Sequence, residues 1–167
     1  MPESMGIKHV RMDDRLIHGQ VATMWTNALK VDRIMVIDDA AASSDITKMT
    51  LKLSVPNGIA LSVLSVAKAA ERIKGGAYHN QRVFVIVKNT TTLYRLVQEG
   101  VPISEVNLGN QAHQEGYVKL APTISFSKDD IKCLAEINAR GIKLIYQLIP
   151  QHARQDLGST LKQENMG

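Results

Sequence analysis

The chain has 167 residues, 44% of them apolar, which is enough for one domain with a buried core and too short for a substantial second one. Lysine and arginine number 20 against 16 acidic residues, and the resulting +4 is scattered along the chain, not gathered into a basic stripe, so nothing points to nucleic acid. The single cysteine, Cys133, excludes an intramolecular disulfide or a multi-cysteine metal cluster and suits a reducing cytosol, and no apolar run approaches the ~20 residues that cross a bilayer.

Residues 1–6 read as an N-terminal extension without the apolar block of a secretion signal, and 7–150 as the folded domain. Short aliphatic runs predict strands at 7–12, 33–37, 59–64, 82–87, 105–108 and 142–148, with a further short one at 123–126. Between them the spacing changes to that of amphipathic helices: Val21, Met24, Trp25 and Ala28, then Ile46, Met49, Thr50 and Leu53, then Val66, Ala69, Ala70 and Ile73. A fourth helix opens at Asn89 or Thr90, presents Leu93, Leu96 and Val97, and stops at Gly100. A fifth starts at Ser127, whose partner Asp130 completes a capping-box pattern, and ends at Gly141. The polar segment 151–167 reads as a C-terminal helix or flexible tail of the same domain. Strands alternating with single helices, and a core poor in aromatic residues, predict an α/β fold: one domain with an open, mostly parallel twisted sheet of six to seven strands and helices on both faces.

In such sheets ligands bind beyond the carboxyl ends of the strands, where strand order reverses. The first strand runs there into Asp13, Asp14, Arg15, Leu16, Ile17, His18, Gly19 and Gln20 before the helical pattern of Val21 begins. A neutral imidazole is a nucleophile toward phosphorus near neutral pH, and a guanidinium such as that of Arg15 sets a planar, permanently charged fork against phosphoryl oxygens. His18 and Gly19 stand where the next helix begins, so free backbone N–H groups face the same anion and Gly19 lets the backbone approach closely. A neighbouring aspartate orients the imidazole or holds Arg15; the sequence leaves both Asp13 and Asp14, and both roles, open.

The run Arg11-Met12-Asp13-Asp14-Arg15-Leu16-Ile17-His18-Gly19-Gln20-Val21 resembles the active-site signature of the IIB component in the mannose/fructose/sorbose family of bacterial sugar phosphotransferase systems. The similarity continues through Trp25, Gly109-Asn110, Gly116 and Gly141-Ile142-Lys143 to Gln147 and Pro150. It implies that His18 receives a phosphoryl group from a phosphohistidine of a IIA protein or domain and donates it to a sugar translocated by membrane IIC and IID components, with Arg15 steadying the group in transit. The implied sugar is of the mannose, fructose, sorbose or N-acetylhexosamine class, no metal or organic cofactor is needed, and the implied place is the cytoplasm, at the inner face of the membrane through the partners. Met12 stands where Ile or Val is commoner in the motif, and Tyr117 stands where a lysine is frequent.

Asp38 ends the second strand and Lys88 the fourth, so both are candidates to line the crevice and touch substrate, as are Asp13, Gly19 and Gln20, while His18, Arg15 and Asp14 carry the chemistry. His9, inside the first strand, reads as a packing residue. A receiver-like regulatory module is the main rival, because Asp13 and Asp14 imitate an acidic metal pocket, yet the third strand ends in Leu64-Ser65-Val66 with no aspartate to accept phosphate. Neither a Walker-type lysine loop nor G-x-G-x-x-G follows the first strand, which disfavours a nucleotide site.

Overall fold

The structure is a computed structural model describing residues 5–167; part of the N-terminal extension, residues 1–4, lies outside the described residues. Its elements in chain order are β1 (Ile7–Asp13), α1 (Gly19–Leu29), β2 (Arg33–Ile37), α2 (Asp39–Ala42), α3 (Asp45–Ser54), β3 (Ala60–Leu64), α4 (Val66–Lys74), β4 (Val83–Val87), α5 (Thr90–Gln98), β5 (Glu105–Asn110), β6 (Val118–Ala121), β7 (Ile124–Phe126), α6 (Lys128–Ala139), β8 (Lys143–Tyr146), β9 (Gln155–Asp156) and α7 (Gly158–Met166).

A run such as Val83-Phe84-Val85-Ile86-Val87, apolar on both faces, is stable only where both faces are covered, and β4 accordingly lies inside a sheet of order β3-β2-β4-β1-β5-β8-β9. Every pairing is parallel except that of β9 with β8. Alternation divides the side chains: Ile34, Val36, Phe84 and Ile86 meet Ala22 and Trp25 of α1 and Leu51 of α3, whereas Met35, Ile37, Val83, Val85 and Val87 join the core under α4, α5, α6 and α7. The chain leaves β1 toward β2 on one side while β5 pairs on the other, so β1 borders the point where strand order reverses.

Local signals hold where side chains cap helix ends. The Ser127 hydroxyl accepts from the Asp130 N–H at 3.1 Å, and Asn89 accepts from the Thr92 N–H at 2.9 Å. Other expectations change. The chain from 147 onward does not extend β8: the Gln147 backbone bonds to the Asn107 side chain, at 2.8 Å from Nδ2 to its carbonyl and 3.0 Å from its N–H to Oδ1, which turns it away from the ladder. The run at 123–126 pairs with β6 as a separate two-stranded hairpin. In α3 the stripe of Ile46, Met49 and Leu53 faces solvent, and Leu51 is the residue it buries. The C-terminal segment supplies edge strand β9 and helix α7, which sinks Leu157 and Leu161 fully into the core beside α6.

Candidate active site

Strand β1 has two chemically different faces. Val10 and Met12 enter the apolar core, while His9, Arg11 and Asp13, at alternate positions, lie on the α1 side of the sheet. The His9 ring stacks on Trp25 at 4.6 Å between centroids and meets Phe84 edge-on at 5.5 Å. Burial, reinforced by the charges of Arg11 and then Arg154, lowers the His9 pKa to about 4, so it packs as a neutral ring.

Arg11 is 2% exposed and Asp13 1%. The Arg11 guanidinium donates to the Leu148 carbonyl at 3.2 Å and to Asp13 Oδ2 at 3.4 Å, and lies over the Trp25 ring. Burial lowers its pKa, and the Asp13 carboxylate pulls in the opposite direction. Gly109 of β5 makes the room, because a Cβ there would come within 2.2 Å of Arg11 Cζ. Trp25 Nε1 donates to the same Leu148 carbonyl at 3.1 Å, so the loop after β8 is drawn down beside the site.

Asp13 is the hub of the active loop. Its Oδ1 accepts from the Arg15 backbone N–H at 2.9 Å and from Arg15 Nε at 3.1 Å, and its Oδ2 accepts from Arg15 Nη2 at 3.2 Å. That is a two-point fork with its acceptor buried, which orients a guanidinium far better than an exposed pair would. Asp14 faces the other way, accepting from Asn110 Nδ2 at 2.7 Å and from the Ala112 N–H at 2.8 Å, and so ties the loop to the end of β5. Of the roles left open by the sequence, Asp13 takes that of holding Arg15. Neither carboxylate hydrogen-bonds to His18 among the described residues, and the bonds of Asp14 place the loop against β5.

A turn closed by the Leu16 N–H on the Asp13 carbonyl, at 2.9 Å, puts Leu16 at φ 60°. This left-handed conformation costs a side-chain-bearing residue on the order of 1–2 kcal/mol, offset here by burying Leu16 and Ile17 against α1 and β4. His18 then emerges exposed as the N-cap of α1. No side chain caps this helix and its first turn holds no acidic residue, whereas α2 through α6 are each capped by Asp38, Ser44, Ser65, Asn89 or Ser127. The N–H groups of Gly19, Gln20 and Val21 precede the first intrahelical bond, from the Ala22 N–H to the His18 carbonyl, and point outward beside an exposed Gln20. Gly19 adopts a φ of +45°, which favours glycine, and a Cβ there would meet no atom of the fold within 4 Å.

The remaining candidates lie along the same carboxyl edge at different removes. The register of Met12 with Val87 places Lys88, exposed, beside Asp13. Asp38 lies two strands away and uses its carboxylate to cap α2, accepting from the Ala41 N–H at 2.9 Å, so it is part of the fold there instead of the crevice around His18. A recess of about 10 Å³, walled in part by Arg11, Asp13, Leu16, His18 and Trp25, lies under the loop; ligand pockets run to hundreds of Å³. The arrangement therefore presents an imidazole, a fixed guanidinium and open N–H groups at the surface of the fold, a set suited to an anion.

Comparison with known proteins gives the family. The family model for the sorbose subfamily IIB component of the PTS system matches residues 7–167. The mannose-specific EIIAB component of Escherichia coli (strain K12) is 39% identical over 140 residues, 84% of this chain and 43% of that protein, so the chain spans less than half the length of that relative. The fructose-specific EIIB component of Bacillus subtilis (strain 168) is 32% identical over 159 residues, 95% of this chain and 97% of that one. The crystal structure of the IIBSor domain of the Klebsiella pneumoniae sorbose permease superimposes with a TM-score of 0.87 at 27% identity, covering 94% of this chain and 96% of that one. The chain belongs to the sorbose subfamily of phosphotransferase-system IIB components. The match includes the C-terminal residues beyond 150, past the reach of the sequence resemblance. No helix among the described residues is long and apolar enough to cross a membrane.

Arg11, Asn107 and Asn110 are the site residues that sequence reasoning left without a role. The available signal was a histidine and an arginine alternating in a strand otherwise fit for burial on both faces.

Proposed function

We propose that His18 carries a phosphoryl group, taking it from the phosphohistidine of a IIA protein or domain and passing it to a sugar presented by membrane IIC and IID components. The observation that supports this most is the exposed imidazole at the uncapped start of α1, just past the carboxyl end of β1, on a loop whose guanidinium is fixed by a buried carboxylate. In the first transfer the N–P bond of the donor breaks as one forms to His18; in the second that bond breaks as an O–P bond forms to a sugar hydroxyl, whose proton leaves to a base on the acceptor side. Arg15 steadies the equatorial oxygens with the N–H groups that Asp13 leaves free, and the Gly19 and Gln20 N–H groups share the charge. Lys88 adds positive potential along the edge. The small recess at His18 fits this division of labour, since the sugar's binding site then belongs to the membrane partner and the chain works at the inner face of the membrane through its partners. Relatives are specific by name for mannose, fructose and sorbose, and a similar solved structure for N-acetylgalactosamine, and the sugar is of the mannose, fructose, sorbose or N-acetylhexosamine class.

The test is incubation with ³²P-labelled IIA protein. The wild-type chain takes up label that is lost in acid and survives alkali, and His18→Gln takes up none; equal labelling of that variant defeats the reading.

A further inference from the structure

Large apolar side chains exposed in a row on one helix are uncommon on a chain that works alone. Ile46, Met49 and Leu53 of α3 are 80%, 67% and 84% exposed, on the side of the helix opposite Leu51. Lys48 and Lys52 border this stripe, and neither takes part in an ion pair among the described residues. Both also line a groove of about 600 Å³ between α3 and the edge strand β3. Since α3 descends from the carboxyl end of β2 toward the start of β3, its Ile46 end lies at the sheet edge that carries His18.

Three side chains amount to an apolar patch of a few hundred Å², well below the roughly 800 Å² per partner of a stable interface, so the stripe suits an occupant that binds and leaves. The phosphoryl-transfer cycle requires such partners. Cytoplasmic loops of membrane proteins are rich in Lys and Arg and would repel Lys48 and Lys52, whereas a phosphorylated soluble donor brings negative charge. A lipid surface gains only about 1 kcal/mol from each of two lysines, and anionic membranes are read by clusters of about four to eight. We infer that the Ile46–Met49–Leu53 stripe, with its flanking lysines, is a docking surface for the soluble phosphoryl donor, recognised by an apolar patch rimmed with carboxylates. The inference rests on the phosphoryl-carrier reading of His18.

Steady-state transfer from ³²P-labelled IIA protein to the full-length chain tests it. Met49→Asp combined with Leu53→Asp raises the KM for the donor about tenfold and leaves kcat within about twofold, with an unchanged melting temperature because both positions face solvent. Lys48→Glu with Lys52→Glu raises KM and flattens its dependence on salt. Unchanged KM in both variants, with wild type labelled normally, overturns the docking surface alone, whereas a wild-type chain that takes no label defeats the carrier reading beneath it. The docking proposal is also overturned by normal labelling with lost sugar uptake, by stripe-dependent binding to anionic phosphatidylglycerol vesicles, or by a stripe-dependent dimer with unchanged transfer.

Discussion

Arg15 reaches its place through a chain of contacts that begins in the sheet. Gly109 admits the Arg11 guanidinium, Arg11 and the Arg15 backbone fix Asp13, and Asp13 holds Arg15 at two points. Gly109→Ala forces the buried guanidinium aside and is expected to cost about 1–3 kcal/mol in urea unfolding, together with slower phosphoryl transfer. Arg15→Lys keeps the charge and loses the fork; because hydrogen bonds to charged groups contribute about 1.5–3 kcal/mol, transfer should slow by roughly tenfold or more while the urea midpoint moves little. Full activity in Arg15→Lys would show that point charge alone suffices. The proposal for His18 and Arg15 could be drawn from the sequence because their chemistry and signature sit in one contiguous run; the contacts of Arg11 and Asn110 could not, because their partners are Leu148 and Asp14, more than ninety positions away in each case.

Strand β1 shows how an element can carry polar groups through a core. Its polar face is acceptable because Trp25, Phe84 and the 147–148 loop cover His9 and Arg11 with aromatic surface and carbonyl oxygens. The consequence for stability follows from His9, whose folded pKa of about 4 lies below its ordinary 6.5. Between those values the unfolded chain binds the extra proton, so stability is complete above about pH 6.5 and declines as pH falls toward 4, by up to about 3 kcal/mol. Melting wild type and His9→Phe from pH 7 to pH 4.5 checks this: wild type loses stability more steeply, and parallel curves would rule the effect out. Helix α3 teaches the opposite lesson. Its apolar spacing was legible, but periodicity only says that a helix has a greasy side; the sheet takes Leu51 and leaves Ile46, Met49 and Leu53 outside.

At the scale of the whole molecule, the C-terminal residues close the structure. Hydrogen-bonded β9 extends the sheet past β8, and α7 lies against α6 with Leu161 fully buried. Leu161→Ala should therefore destabilise the entire domain by about 2–5 kcal/mol, seen as one cooperative transition at lower denaturant; a loss confined to the end of the chain, detected by hydrogen exchange in α7 alone, would show that the helix is peripheral. The sequence left this segment as either a helix or a flexible tail because a helix with few apolar residues has weak periodicity, and the value of two leucines depends on where they land.

The five central parallel strands, β8 in part, and the starts of α3 to α6 were determined by the sequence by itself, as was the polar loop after β1, because hydrophobic alternation, caps and a contiguous polar run act over a few residues. The tertiary structure alone decided that Asp13 serves Arg15 while Asp14 serves the β5 loop, that Asp38 caps a helix, and that one side of α3 stays bare. Each of those outcomes depends on which strand lies beside which, and strand order follows from the packing of distant segments that no local pattern encodes.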